Sequence, residues 1–349
     1  MSSGNVQQTT ASLNPQSARS QAIREFVQEH AAGEHEDLLG EMMVTLCRLA
    51  RDGCGRGEMK ILNTALKELR YGFKVFAPYK DVPKVSIFGS ARTPPEDPQY
   101  KQAVKFAQLM RQAGWMAITG AGDGIMRAGH DGATREASFG VAIRLPFEQS
   151  TNNIIADDEK LVNFKYFFTR KLMFVKEAHA IVLFPGGFGT QDEGFEALTL
   201  IQTGKSSPIP VVMVDEPNGT YWQHWRTYLQ SELLRTGMIS EPDMNLFYLT
   251  DDAQQAVDHI TTFYRRYHSS RTVRQELVIR MKSKLPDARV EQLTDEYADI
   301  VVEGKIRQVD GPLEEEHGEF PDLPRLVFRY NNRGAGRLRL LIHAINEAD

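Results

Sequence analysis

Two glycine-rich segments of this sequence have the residue types and spacing to hold an anion. The first is Thr119-Gly120-Ala121-Gly122-Asp123-Gly124, and the second is Pro185-Gly186-Gly187-Phe188-Gly189-Thr190. Each follows a short apolar run and precedes a segment of helical periodicity. Glycine lets backbone N–H groups converge, and a helix N-terminus adds unpaired donors and partial positive charge. Such a turn suits a phosphate. The first segment has glycines at alternate positions rather than as GxGxxG, and the second lacks the Lys of a nucleoside-triphosphate loop. Either alone reads equally well as a tight strand-to-helix turn. Two of them at the carboxyl ends of neighbouring strands point to a phosphate-containing ligand.

Thr190, Asp192 and Glu193 follow the second loop. One reading is a capping box, with Thr190 at the N-cap and Glu193 three residues on. The other is a catalytic carboxylate, because an acid beside a phosphate-binding turn incurs repulsion that Gln would avoid. The expected helix Asn163–Glu177 raises a parallel question. On 100° steps Phe164, Phe168 and Val175 share a face, with Phe167 and Leu172 at its margins, Lys171 inside the stripe and Arg170 beside Phe174. A buried cation is costly unless paired. Either the long side chains snorkel to the sheet edge, or the helix presents Arg170 and Lys171 to an anionic ligand.

Other chemistry is not indicated. The nine histidines form no HxxxH or HExxH pattern, and His130 and His179 read as core or surface residues. Cys47 and Cys54 have no matching Cys/His pair at metal-ligand spacing, and their scarcity suits a reducing compartment. Ser90 sits in no GxSxG elbow. Trp222 and Trp225 read as packing residues, and Glu314–Glu316 as a solvated acidic turn.

The elements that must position these loops fall into zones. Residues 1–20, rich in Ser, Gln, Thr and Asn, read as a disordered tail without a signal-peptide core. Residues 21–80 read as a helical extension, with Leu38, Leu39, Met42, Met43, Leu46 and Leu49 at three- and four-residue steps and a second helix over Glu58–Tyr71. Residues 81–268 read as an α/β domain that carries both glycine-rich loops. Its expected strands are Val85–Phe88, Trp115–Ile118, Val141–Leu145, Ile181–Phe184, Val211–Val214 and Phe247–Leu249. Helices are expected over Tyr100–Ala113, Ile125–Ser138, Asn163–Glu177, Gln191–Thr203, Tyr221–Leu234 and Ala253–Tyr267. This alternation predicts an α/β fold, a Rossmann-like doubly wound parallel sheet covered on both faces. Residues 269–349 read as a small α+β appendage. Strands are expected at Val273–Ile279 and Ile300–Ile306, a helix at Pro286–Tyr297, and a hairpin in which Arg325–Tyr330 and Arg337–Leu341 flank the turn Asn331–Gly336.

Composition bounds the rest. The chain has 349 residues, 41% of them apolar and 25% charged, enough for about two domains with a buried core. A net charge of −5 gives no global basic field for nucleic acid or anionic lipid. No run of about 18 apolar residues exists to span a membrane. These features predict a cytoplasmic protein with neither nucleic acid nor membrane as partner.

Phe184-Pro185-Gly186-Gly187-Phe188-Gly189-Thr190-Gln191-Asp192-Glu193 resembles the PGGxGTxxE signature of the LOG (Lonely Guy) family, whose members are often labelled lysine decarboxylases. Arg170-Lys171-Leu172-Met173 is similar to that family's RKxxM helix. Phe88-Gly89-Ser90-Ala91-Arg92 and Thr119–Met126 are similar to its first two strand-end loops. The likeness covers Lys84 to His268, roughly half the chain. It implies a nucleotide phosphoribohydrolase, an enzyme that cleaves the N-glycosidic bond of a nucleoside 5′-monophosphate. Carried onto this sequence, Arg170 and Glu193 are the catalytic pair. Ser90, Gly120, Gly122, Gly124, Lys171, Gly186, Gly187, Gly189 and Thr190 bind substrate, with no metal or organic cofactor. Asp192 and Glu148 are the candidates for an acid serving the leaving base. Asp123 stands where long members often carry Pro. The flanking zones resemble the long bacterial forms, which implies AMP-, GMP- or pyrimidine-type substrates and a homodimer or higher homo-oligomer. The alternatives are a cytokinin riboside monophosphate enzyme, or a non-catalytic nucleotide or molybdenum-cofactor carrier.

Overall fold

The computed structural model describes residues 18–348 except 32 and 145–150, so the expected tail lies almost wholly outside the described residues. The chain forms two units that divide at Lys67/Glu68. The first holds α1 (Ala18–Ala31), α2 (Glu36–Arg51) and the start of α3 (Arg56–Phe76). Ile23 and Val27 of α1 bury against Val44, with Leu39 and Met43 beside them, whereas Leu38, Met42 and Leu46 of the expected apolar stripe are exposed. α3 is longer than expected and runs on into the second unit.

The second unit is built on seven parallel strands. These are β1 (Lys84–Phe88), β2 (Met116–Thr119), β3 (Ser138–Ile143), β4 (Leu161–Phe164), β5 (Ala180–Leu183), β6 (Val211–Val214) and β7 (Tyr248–Thr250). Their order is β4-β3-β2-β1-β5-β6-β7. The connecting helices are α4 (Pro98–Gln112), α5 (Ile125–Ala133), α6 (Phe167–Glu177), α7 (Phe188–Gln202), α8 (Tyr221–Tyr228) and α9 (Ala253–Phe263). Both faces of the sheet are covered, because successive strand residues point to opposite sides. Val85, Ile87, Val182 and Val212 pack under Phe106, Ile125 and Ile260. Ile118, Leu183 and Met213 pack on the other face under Met173, Phe174 and Trp222. The predicted doubly wound α/β core is therefore present. Strand β1 pairs with β2 on one side and β5 on the other, so the strand order reverses there and the loops after β1, β2 and β5 diverge around a crevice.

Several expected boundaries are corrected. The helix expected from Asn163 begins at Phe167, because residues 161–164 pair with β3 as a strand the sequence reading missed. The buried face of α6 is accordingly Thr169, Met173, Phe174 and Glu177, while Phe168 and Leu172 are 56% and 46% exposed. Ser138 opens β3 rather than ending α5.

The C-terminal part is a four-stranded antiparallel sheet, β10-β11-β9-β8. It comprises β8 (Tyr267–Val273), β9 (Glu276–Met281), β10 (Arg307–Asp310) and β11 (Pro324–Phe328), with α10 (Asp287–Glu296) and α11 (Ala335–Glu347) packed on it. The strand expected at Val273–Ile279 is broken by a turn in which Arg274 has φ +53°. Over Ile300–Ile306 only Val301 makes a bridge, to Tyr330. The expected hairpin is absent: Arg337–Leu341 is helical, because Leu338, Leu341, Ile342 and Ile345 bury one helical face. Glu316 is not solvated. It is fully buried between Arg280, whose Nη2 lies 2.6 Å from it, and Arg325, whose Nε lies 3.2 Å from it.

Candidate active site

The turn after β5 enters α7 three residues earlier than the sequence reading expected. Gly187 is the N-cap, and the first helical bond runs from Gln191 N–H to Gly187 O at 3.1 Å. The N–H groups of Phe188, Gly189 and Thr190 are therefore the unsatisfied amino end of a fifteen-residue helix. Thr190 stands third in the helix and Glu193 sixth, so the two do not form a capping box. The structural explanation for an acid at position 193 is thereby removed.

The glycines of this turn differ in what requires them. A Cβ on Gly186 would collide with Thr190 Oγ1 and lie 2.9 Å from Ser90 N, so packing alone demands glycine there. A Cβ on Gly187 or Gly189 would meet nothing within 4 Å, and neither residue has a positive φ. The chain itself does not require glycine at these two positions. Both line a cavity of about 790 Å³ at the carboxyl ends of β1, β2 and β5. Glycine at both positions leaves the backbone of the turn open to close approach from the cavity.

Three loops close this end. Ser90 N–H donates to Pro185 O at 3.1 Å, and Ile125 N–H donates to Ser90 O at 3.0 Å. Gly124, with φ +62°, has no room for a Cβ against the Ser90 carbonyl. Deeper in the first loop, Asn152 Nδ2 donates to Gly122 O at 2.9 Å, and the Asn152 side chain also meets the fully buried His130. Tyr221 at the start of α8 donates its hydroxyl to Gly186 O and accepts from Gln191 Nε2, both at 2.6 Å.

Arg170 reaches into the same cavity from α6. Its Nε donates to Val141 O at 2.9 Å, and its guanidinium lies over the Phe174 ring at 5.2 Å. Gly120 leaves room for it, since a Cβ there would sit 2.5 Å from an Arg170 terminal nitrogen. Burial lowers the pKa of this guanidinium, opposed by the charge of Glu193. Glu193 faces the cavity from α7. Burial pushes its carboxyl up to about 7; Lys171 and Arg170 pull it down, and Glu196 and Asp192 push it further up. A half-buried acid that titrates near neutrality, beside a cation in a cleft, is an arrangement suited to catalysis.

Of the residues expected at the site, Ser90, Gly120, Arg170, Gly186, Gly187, Gly189, Thr190 and Glu193 line this one cavity. Gly122, Gly124 and Lys171 do not. The two glycines shape the first loop, and Lys171 is ion-paired with Asp192 at 2.8 Å and Glu196 at 2.6 Å. Asp192 lines the cavity rim, Asp123 is exposed outside it, and Glu148 lies outside the described residues. The sequence reading missed Tyr221, Gln191, Met126 and the exposed aromatics Phe167 and Phe188, the last 96% exposed. Phe188, Gln191 and Met126 lie within the loop motifs themselves, whereas only proximity in the fold marks Tyr221 and Phe167. Among the described residues no three His, Cys, Asp or Glu side chains gather to hold a metal ion, and no helix is long and apolar enough to cross a membrane.

Residues 122–260 match the family described as "possible lysine decarboxylase". No curated protein matches the chain. Among solved structures, it is similar to a molybdenum cofactor binding protein from the phototrophic bacterium Rippkaea orientalis, with 17% identity over 52% of this chain and 96% of that one and a TM-score of 0.38. It is similar to a Moco carrier protein from Chlamydomonas reinhardtii, with 18% identity, coverages of 52% and 96%, and a TM-score of 0.36. It is also similar to TM1055, with 19% identity, coverages of 51% and 98%, and a TM-score of 0.37. Likenesses this weak decide nothing about activity. The family match spans Arg170, the Gly186–Thr190 turn and Glu193, so over residues 122–260 this chain is similar to the family described as possible lysine decarboxylase, the LOG family.

Proposed function

We propose that this cavity hydrolyses the N-glycosidic bond of nucleoside 5′-monophosphates, consuming water and releasing the free base and ribose 5-phosphate. The observation that carries this reading is the pairing of a half-buried carboxyl, Glu193, with a half-buried guanidinium, Arg170, in a cavity also lined by Arg92 and Asp192, beside the open amino end of α7. The phosphate binds the N–H groups of Phe188, Gly189 and Thr190, where the helix dipole favours an anion. Gly187 and Gly189 let it approach the backbone. Anchoring the phosphate fixes the ribose, which supplies orientation before chemistry. As the bond to the base stretches, C1′ gains oxocarbenium character, and the Glu193 carboxylate stabilises that charge. Glu193 then either activates water or attacks C1′; both routes use the same geometry. Arg170, oriented by Val141 O, holds the sugar or phosphate against Glu193. Phe167 and Phe188 offer flat apolar surface of the kind a base stacks on.

The decarboxylase description has no chemical support in this cavity. A Schiff-base mechanism needs a free lysine amine. No lysine is among the described residues lining the cavity, and Lys171 is held by two carboxylates.

The test is direct. The protein is incubated with AMP, GMP, CMP, UMP and isopentenyladenosine monophosphate, and free base is measured. Wild type is expected to release base from at least one of them, and Glu193→Gln to abolish release while still binding that nucleotide. Because Glu193 acts ionised, the rate should rise as pH climbs through about 7. Binding by wild type without release of any base would replace this reading with a carrier or sensor. Preference for the isopentenyl substrate would identify a cytokinin-directed enzyme.

A further inference from the structure

The residue that follows Arg170 and the residue that precedes Glu193 are bound to each other. Lys171 Nζ lies 2.8 Å from Asp192 Oδ2 and 2.6 Å from Glu196 Oε2. Asp192 and Glu196 stand one turn apart on α7, so a single ammonium grips two successive turns of one helix face. The Lys171 side chain is only 17% exposed, and it does not line the cavity. Its charge is thus committed to α7. On a helix, neighbouring residues are separated by a fixed rotation. Clamping Lys171 therefore fixes where Arg170 points, and clamping Asp192 fixes where Glu193 points.

We infer that Lys171 is a positioning residue of this site: its two ion pairs staple α6 to α7 beside the cavity and hold Arg170 and Glu193 toward the same ligand. This inference rests on the catalytic reading of the cavity given above. A second observation supports it. Among the charges that pull the Glu193 carboxyl down, Lys171 ranks ahead of Arg170, while Glu196 and Asp192 push the other way. Without the ammonium, three carboxylates would crowd one stretch of α7 and repel one another.

The test uses the full chain with Lys171→Met and Lys171→Arg. Two readouts are taken: kcat and KM for base release between about pH 5 and pH 9, and the titration of a carbon-13-labelled Glu193 carboxyl by NMR. For Lys171→Met we expect kcat to fall by about tenfold or more, with KM changed by less than about threefold. The acidic limb of the rate profile and the Glu193 titration should both move up by about one pH unit. Lys171→Arg should restore most of the rate, since it keeps the charge. Wild-type kcat with an unmoved Glu193 titration in Lys171→Met would overturn the inference. A rise in KM alone would make Lys171 a substrate contact instead. If wild type releases no base from any nucleotide, the functional reading fails, and the NMR titration still decides the role of Lys171.

Discussion

Replacing Glu193 by Gln should stabilise the protein, and by an amount that grows with pH. A carboxyl whose pKa is raised on folding resists ionisation in the folded state, so the folded protein is penalised once pH exceeds the unfolded value. For Glu193 the ordinary value is 4.5 and the folded value about 7, with burial as the leading cause. The penalty begins above the unfolded value, grows up to the folded one, and is constant beyond it. One pH unit corresponds to about 1.4 kcal/mol, so the full penalty approaches about 3 kcal/mol at pH 8 and is below about 1 kcal/mol at pH 5. Gln has nearly the same shape and cannot ionise. The stability gain of Glu193→Gln over wild type should therefore rise by about 2 kcal/mol between pH 5 and pH 8. Urea unfolding followed by tryptophan fluorescence measures this well, because Trp115, Trp222 and Trp225 all lie in the unit that begins at Glu68. A difference that stays flat across that range, or that favours wild type at pH 8, would refute the claim that Glu193 is held in an environment hostile to its charge. The prediction also bears on function, since a group kept at the expense of stability is expected where chemistry demands it.

The glycines offer a paired contrast. Gly187→Ala and Gly189→Ala should fold with little change in melting temperature, because nothing lies within 4 Å of the added methyl, yet should weaken nucleotide binding in a calorimetric titration by about tenfold or more. Gly186→Ala should instead destabilise the fold by about 1–3 kcal/mol, since its methyl meets Thr190 and the Ser90 amide; equal stability for all three variants would show that the turn is not packed as described.

The core was legible because parallel strands buried on both faces read as short continuous apolar runs. Val85–Phe88, Ile181–Phe184 and Val211–Val214 therefore matched β1, β5 and β6 to within a residue. Strand β4 was not legible. Its four residues, Leu161–Phe164, alternate in burial at the sheet edge, and their apolar members merge with those that open α6. That merging also misplaced the apolar stripe on α6 and put Lys171 in it, when its partners are acids on another helix. The α11 region failed for a different reason: Asn331–Gly336 has hairpin-turn chemistry, and only the burial of Leu338, Leu341, Ile342 and Ile345 favours a helix after it. At the candidate site, the glycine turn, Arg170 and Glu193 could be read from residue type and spacing. Tyr221 and Phe167 could not, because nothing in their local sequence connects them with a turn that lies distant in the chain.

How a nucleotide sits against α7 is measured most directly by a crystal structure of Glu193→Gln soaked with AMP. The predicted result is a 5′-phosphate on the N–H groups of Phe188, Gly189 and Thr190, with C1′ facing the side chain at 193 and the Arg170 guanidinium in contact with the ribose or phosphate. A phosphate bound elsewhere, or a ribose turned so that C1′ lies out of reach of residue 193, would contradict it.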